Sequence, residues 1–175
     1  DDRVETRLQT PHGELSFQEF FVKERWAREV TSVRFVGAEQ AQPAPGVLDF
    51  IQSAEAIIVC PSNPVTSIGP ILAVPGIRSA LKQVSAPVVG VSPIIGAAAI
   101  SGPAHKLMVA SGFEASALGI AGCYGDFLDT LLIDDEDCPA VPAVEAVKVM
   151  PICTNIRMGD FAAKRRLARE VLALV

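Results

Sequence analysis

The stretch Pro61-Ser62-Asn63-Pro64-Val65-Thr66-Ser67 places four polar side chains in seven residues and carries no charge. It follows the apolar run Ile57-Ile58-Val59 and precedes Ile68, Ile71 and Leu72, whose spacing predicts a helix starting near Ser67. A strand that opens through a small polar loop into a helix start aims backbone N–H groups at an anion, above all a phosphate. The hydroxyls of Ser62, Thr66 and Ser67 and the Asn63 amide would add donors without a counter-charge. The same residues also suit an ordinary turn in which Ser62 caps and Asn63 bonds locally. The glycine spacing of a P-loop or of GxGxxG is absent. Arg78 lies past the Pro75-Gly76 break and reads as distant from this loop.

A second apolar run, Val88-Val89-Gly90-Val91, opens into Ser92-Pro93-Ile94-Ile95-Gly96 and a small-residue stretch ending at Pro103-Ala104-His105-Lys106. Lys106 can serve a phosphate as a point charge, or be a solvated lysine near a helix start. Acidic groups suited to a divalent metal are Asp126 and Asp129, three apart on a predicted helix, and the run Asp134-Asp135-Glu136-Asp137. The run follows Leu131-Leu132-Ile133 directly and reads as a solvated turn. Two histidines in total exclude a His-rich metal site, and His12 and His105 both read as turn or surface residues. Cys60, Cys123, Cys138 and Cys153 show no CxxC, so a zinc framework is excluded and four free thiols are expected. No Ser-His-Asp or Cys-His pairing offers a protein nucleophile.

The elements that must position these residues are of two kinds. Val4, Thr6 and Leu8 alternate with charged residues, Pro11-His12-Gly13 turns the chain, and Leu15, Phe17 and Phe21 return. This predicts an antiparallel hairpin with one wet face, an appendage over residues 3–22. Ser32–Val36 reads as a strand and Val47–Ala54 as a short helix. Beyond these, Ile57–Val59, Val88–Val91, Leu131–Ile133 and Val147–Met150 are continuous apolar runs, as parallel strands covered on both faces require. Asp160 is positioned to cap a final amphipathic helix through Ala168, Val171, Leu172 and Val175. The expectation is one α/β domain over 1–175, a Rossmann-like, mostly parallel sheet flanked by helices with an N-terminal antiparallel β-hairpin.

Composition limits the partners. Half of the 175 residues are apolar and a fifth are charged, which excludes disorder. Net charge is −5, against a general nucleic-acid binder. Between Ala56 and His105 the charged residues are Arg78 and Lys82 alone, leaving that stretch neutral to slightly positive. Its uncharged runs are long enough to span a bilayer, but their many prolines break the backbone ladder that lipid demands. The chain opens Asp1-Asp2-Arg3 with no signal peptide, so a cytoplasmic location is expected.

Cys60-Pro61-Ser62-Asn63-Pro64-Val65-Thr66-Ser67-Ile68-Gly69-Pro70-Ile71-Leu72-Ala73-Val74-Pro75-Gly76-Ile77-Arg78 closely resembles the central signature of the 2-phospho-L-lactate transferases of coenzyme F-420 biosynthesis. Val91-Ser92-Pro93-Ile94-Ile95-Gly96, then Gly102-Pro103-Ala104-His105-Lys106-Leu107-Met108, is similar to the family's next block. Asp2-Arg3-Val4-Glu5-Thr6-Arg7 and Phe17-Gln18-Glu19-Phe20 are similar to its hairpin segment. The resemblance implies a cytoplasmic, usually dimeric, magnesium-assisted phosphorus-group transferase. Such an enzyme moves a phospholactyl or phosphoenolpyruvyl group from a guanosine diphosphate conjugate to the terminal hydroxyl of the deazaflavin Fo and releases GMP. Ser62, Asn63, Thr66 and Ser67 would hold the diphosphate, with Ser92, Pro93 and Lys106 nearby.

Family members begin with a strand and a GGTGG-type loop followed by acidic residues expected to hold the metal, and this sequence has neither. The chain therefore reads as the second half of such an enzyme, with catalytic and metal-binding residues elsewhere and no turnover on its own. The other readings are a non-catalytic nucleotide- or nucleotide-sugar-binding regulator of the same superfamily, and loops that merely cap helices. Phe20, Phe21 and Trp26 suit either a partner surface or the core.

Overall fold

The computed structural model describes residues 2–96, 98–99 and 103–175. Most of the small-residue stretch between Gly96 and Pro103 thus lies outside the described residues, Gly102 included.

The hairpin strands are β1 (Glu5–Thr10) and β2 (Gly13–Ser16), paired with Leu8 opposite Leu15. Its turn closes when His12 N–H donates to Thr10 Oγ1 (3.2 Å) and that hydroxyl donates to the Gly13 carbonyl (2.7 Å). Gly13 takes φ +122°, a backbone conformation that favours glycine. On its other side β1 pairs antiparallel with β3 (Ser32–Val36), giving the order β2-β1-β3. The returning strand stops at Ser16, short of Phe17 and Phe21. There Glu19 N–H donates to Ser16 Oγ (3.2 Å) and Ser16 N–H donates to the Glu19 carboxylate (2.9 Å), a reciprocal cap that starts a helical turn through Lys23. Leu8 and Phe20 are fully buried in the same core as the parallel sheet, so the antiparallel layer is packed into the body.

The second sheet is wholly parallel. Its strands are β4 (Ile57–Val59), β5 (Val88–Val91), β8 (Thr130–Ile133) and β9 (Met150–Cys153), in the order β4-β5-β8-β9. Between β5 and β8 lies a two-residue pair, β6 (Ile94–Ile95) and β7 (Ala98–Ala99). The helices are α1 (Val47–Ser53), α2 (Gly69–Leu72), α3 (Ile77–Gln83), α4 (Ala104–Ala110), α5 (Ala117–Tyr124), α6 (Val141–Ala146) and α7 (Phe161–Leu172). Every residue of β5 and β8 is buried, as their continuous apolar runs require. Val88, Leu131 and Ile133 face one layer, which also holds Ile77, Ile120 and Val144, while Val89, Val91 and Leu132 face Leu167 and Val171 of α7. Successive strand residues thus serve opposite cores. The Rossmann-like parallel sheet with flanking helices is the observed architecture.

Some expected positions shift. The run from Val147 forms a bend rather than a strand: Val147 closes α6, Lys148 takes φ +64°, and β9 begins only at Met150. Asp126 and Asp129 follow the end of α5 and do not share a helix. Cys138 and Cys153 are joined by a disulfide with Cα atoms 5.7 Å apart, which corrects the expectation of four free thiols; Cys60 and Cys123 are free. Phe20 is core, whereas Phe21 and Trp26 stack at 5.1 Å and stay partly exposed. Asp160 accepts from Ala163 N–H (2.7 Å) and caps α7 as its spacing predicts. No described helix is long and apolar enough to cross a membrane.

Candidate functional site

The carboxyl ends of β4 and β5 lie side by side, since Val59 pairs with Gly90. In parallel α/β sheets this is the end that receives ligands. The loop after β4 enters a wide helical turn, Pro64–Ile68, earlier than the expected start near Ser67. Asn63 is its cap. The Asn63 Oδ1 atom accepts from Val65 N–H (2.9 Å) and Thr66 N–H (3.1 Å), and the Asn63 carbonyl accepts from Ser67 and Ile68 N–H (3.0 and 3.1 Å). Pro64 suits the first position of such a turn because its missing N–H would have no partner there. The turn is pinned from behind: a Cβ on Gly69 would meet the Phe35 ring at 2.7 Å, so β3 and the loop approach only because Gly69 has no side chain. With Oδ1 committed, Asn63 keeps its amide N–H donors for other partners, and the hydroxyls of Ser62, Thr66 and Ser67 lie beside it on the same half-exposed loop.

The second loop is built differently. Ser92 is fully buried; its hydroxyl donates to the Ile94 carbonyl (2.9 Å) and accepts from Ile94 N–H (3.1 Å) across Pro93. Its backbone N–H continues the ladder to Leu132 (2.9 Å). Ser92 and Pro93 therefore shape the exit from β5, and the Ser92 hydroxyl is used in doing so.

Lys106 sits on α4, which packs against the Pro64–Ile68 turn and β3. Its ammonium donates to the carbonyls of Trp26 (2.6 Å), Arg28 (2.9 Å) and Ala27 (3.4 Å), and so holds the segment where Arg25 and Trp26 take positive φ. Its ammonium is thus engaged by the segment that leads into β3. Arg78 forms a two-point pair with Asp126 (Nε to Oδ2 2.9 Å, Nη2 to Oδ1 2.6 Å), donates to the Cys123 carbonyl (3.0 Å) and lies over the Phe127 ring. Burial works to raise the Asp126 carboxyl, but hydrogen bonds and charge from Arg78, helped by Lys82, outweigh it and hold it below its ordinary value.

The acidic run after β8 is not the solvated turn that its composition predicts. Asp135 and Glu136 are exposed, but Asp134 and Asp137 are buried. Asp134 accepts from Glu136 N–H and Ile156 N–H (both 3.3 Å), tying β8 to the chain after β9. Asp137 accepts from Gly96 N–H (3.1 Å), and burial, with Asp134 and Glu136 close by, raises its carboxyl above the usual range despite that bond. An aspartate directly after a strand and two residues before a free N–H is the local signal that marks Asp134 as a cap. Asp129 accepts from Val88 N–H (2.8 Å) and joins the bottoms of β5 and β8. Among the described residues no three His, Cys, Asp or Glu side chains converge as a metal site, so these residues do not by themselves fit a magnesium ion.

Two cavities flank the β4 loop. One, of about 230 Å³, lies behind the turn between Val65, Gly69, Arg78 and Tyr124. The Tyr124 hydroxyl is buried without a hydrogen-bond partner among the described residues, and burial pushes it well above its ordinary pKa. The other, of about 280 Å³, is an apolar groove between Ile58, Cys60, Pro61 and Val91 and the α7 side chains of Leu167 and Leu172.

Comparison with known proteins follows the same residues. A family model described as "2-phospho-L-lactate transferase CofD" matches residues 1–155. The chain is 41% identical over 174 residues to a 2-phospho-L-lactate transferase of Methanococcoides burtonii, and 47% identical over 179 residues to a phosphoenolpyruvate transferase of Streptomyces griseus. Each match covers 99% of this chain and 56% of the relative, so the chain spans about half the length of the curated relatives it matches. A solved Bacillus halodurans structure aligns with TM-score 0.68 at 16% identity, over 97% of this chain and 58% of that one. That likeness supports the fold alone.

Proposed function

The chain belongs to the 2-phospho-L-lactate transferase CofD family, and from that premise we propose that it is the nucleotide-side half of a phosphorus-group transferase. In the proposed reaction the longer protein carries a phospholactyl or phosphoenolpyruvyl group from a guanosine diphosphate conjugate to the terminal hydroxyl of the deazaflavin Fo. The hydroxyl oxygen forms a bond to the phosphorus of the transferred group. The bond from that phosphorus to the bridging oxygen breaks, GMP leaves with the electron pair, and the hydroxyl proton is released. The observation that carries this proposal is the 41–47% identity, over 99% of this chain, to proteins named as transferases of these two three-carbon acids.

The part assigned to this chain is binding and orientation. The Asn63 amide N–H groups and the Ser62, Thr66 and Ser67 hydroxyls supply neutral donors to the diphosphate, next to the start of a helical turn. Ser92 and Pro93 act by fixing the neighbouring loop, and Lys106 by fixing the Trp26–Arg28 segment. Neutral donors held rigidly at a phosphoryl group stabilise charge that spreads over its oxygens in the transition state. Magnesium, when bound, would neutralise part of that charge, with ligands drawn from outside the described residues of this chain. A cytoplasmic homodimer is part of the same proposal.

The test uses the longer protein with the guanosine conjugate, magnesium and Fo, followed by mass detection of the phosphodiester product. Product from the longer protein and none from this chain alone is the expected result. Nucleotide binding without any binding of Fo would instead identify a regulator, and would refute the transferase assignment.

A further inference from the structure

We infer that Cys138 and Cys153 form a thiol–disulfide switch that, in its oxidised state only, holds the loop through which β5 leaves the sheet. Cys138 lies in the 3-10 helical turn Asp135–Ala140, and Cys153 is the last residue of β9. Their Cα atoms are 5.7 Å apart, inside the range that a disulfide spans without moving the backbone. Cys153 pairs with Ile133 across β8 and β9, so the bond sits at the carboxyl end of the sheet, where ligands are received. The residue before Cys138 is Asp137, whose carboxylate accepts from Gly96 N–H (3.1 Å), 41 residues away in the chain. The disulfide thus stands next to the contact that ties the exit from β5 to the turn after β8.

Among the described residues, two polar ties join Asp134 and that turn to the chain after β9. Ile156 N–H donates to Asp134 at 3.3 Å, and Arg157 pairs with Glu136 (2.7 Å) on the surface, where an ion pair contributes little. Repulsion opposes them. Burial, with Asp134 and Glu136 close by, raises the Asp137 carboxyl above its usual range. Carboxylates crowded in this way gain by moving into water, and the disulfide resists that move. Once reduced, the two sulfurs separate to van der Waals distance, which carries Cys138 away from β9 and Asp137 away from Gly96. Both cysteines are only partly buried, so a small thiol such as glutathione can reach them. Its thiolate attacks one sulfur, the Cys138–Cys153 bond breaks, and a second glutathione thiolate resolves the mixed disulfide. Each displaced cysteine sulfur takes up a proton, and the protein disulfide gains the two electrons that the two glutathiones lose. A permanent staple would be unusual in the cytoplasm, where disulfides are mostly transient or redox-sensing. The choice of a switch over a staple therefore rests on the location proposed above.

The test uses the longer protein, equilibrated in glutathione buffers from fully reduced to fully oxidised. Peptide mapping should find Cys138 linked to Cys153 at the oxidised end, and both as free thiols in folded protein at the reduced end. The Gly96 amide should exchange its hydrogen at least about tenfold faster in the reduced protein. Ser92, whose N–H is bonded to Leu132 in the sheet ladder, should not change. Asp137→Ala should exchange quickly at Gly96 in both states, and reduction should then add nothing. A bond that never forms in the folded protein, a bond that resists glutathione, or Gly96 exchange equal in both states would each overturn the inference. So would a response to reduction that survives in Asp137→Ala. These readouts need no substrate. On the proposed function, reduction should also lower GDP affinity at least about threefold. GDP that binds in neither state would refute the nucleotide site and leave the Gly96 result standing. Equal GDP affinity in both states would instead overturn the link between switch and site.

Discussion

Replacing Asn63 separates two roles that share one side chain. Its Oδ1 atom serves two backbone N–H groups, Val65 at 2.9 Å and Thr66 at 3.1 Å, and Val65 is only 5% exposed. Loss of a cap acceptor costs about 1 kcal/mol, and a second N–H left without a partner in a half-buried turn adds a comparable amount. Asn63→Ala should therefore cost about 2 kcal/mol, which for a chain of this length lowers Tm by roughly 4–8 °C. Asn63→Asp keeps both acceptor positions, so its Tm should match the parent. It removes the amide donors and places a negative charge where the diphosphate is proposed to lie. A lost hydrogen bond to a charged group is worth about 1.5–3 kcal/mol, so GDP affinity of the longer protein should fall roughly ten- to hundredfold. Thermal denaturation and titration calorimetry with GDP give the two numbers for each variant. Wild-type GDP affinity in a folded Asn63→Asp protein would remove Asn63 from the diphosphate. An unchanged Tm in Asn63→Ala would show that the cap does not hold the turn.

Other expectations concern charges that the fold has already used. Asp126 has its carboxyl held below the ordinary value in the folded state, so its contribution is present above the unfolded pKa near 4 and is lost as pH falls through the lowered one. Asp126→Asn should lower Tm at neutral pH and flatten the loss of stability below about pH 4; a variant with an unaltered acid limb would show that the Arg78 pair is not what stabilises. Lys106→Met keeps the aliphatic stem but frees the Trp26–Arg28 carbonyls. It should lower stability by about 1 kcal/mol and speed tryptic cleavage at Arg25 and Arg28, with GDP affinity of the longer protein unchanged. A tenfold loss of GDP affinity with no change in cleavage would return Lys106 to the phosphate.

Which of these features the sequence announces follows from the range of the interaction. β5 and β8 are legible because a strand covered on both faces must be apolar at every position, and β4 carries the same kind of run although Ile58 is exposed. β3 and the Asp160 cap of α7 are legible because alternation and capping act within a few residues. The end of β2 is just as local, written in Ser16 and Glu19, but the apolar residues beyond it mask the cap. The shift of β9 depends on the left-handed turn at Lys148, a conformation that lysine does not advertise. The partners of Lys106 are 78 to 80 residues away, that of Asp137 is 41 away, and Asp134 adds to its local cap a bond to Ile156, 22 away. No local pattern encodes such contacts. Residue type makes Lys106 a phosphate ligand or a solvated cation, and it makes the acidic run a wet turn. Tertiary packing gives all three long-range backbone partners, exposed at Lys106 and buried or partly buried at the two aspartates.

The charge-poor stretch takes on a physical meaning once those pairings are known. Its two cations, Arg78 and Lys82, both face the Asp126 carboxylate, at 2.6 and 3.6 Å. One carboxylate offsets one of those two positive charges, and the pairing weakens the field that they set up at the Ser62–Ser67 loop. A diphosphate held there would rely on neutral N–H and O–H donors. In open water such donors compete poorly with solvent, but in a crevice shielded from it each bond strengthens as the local dielectric falls.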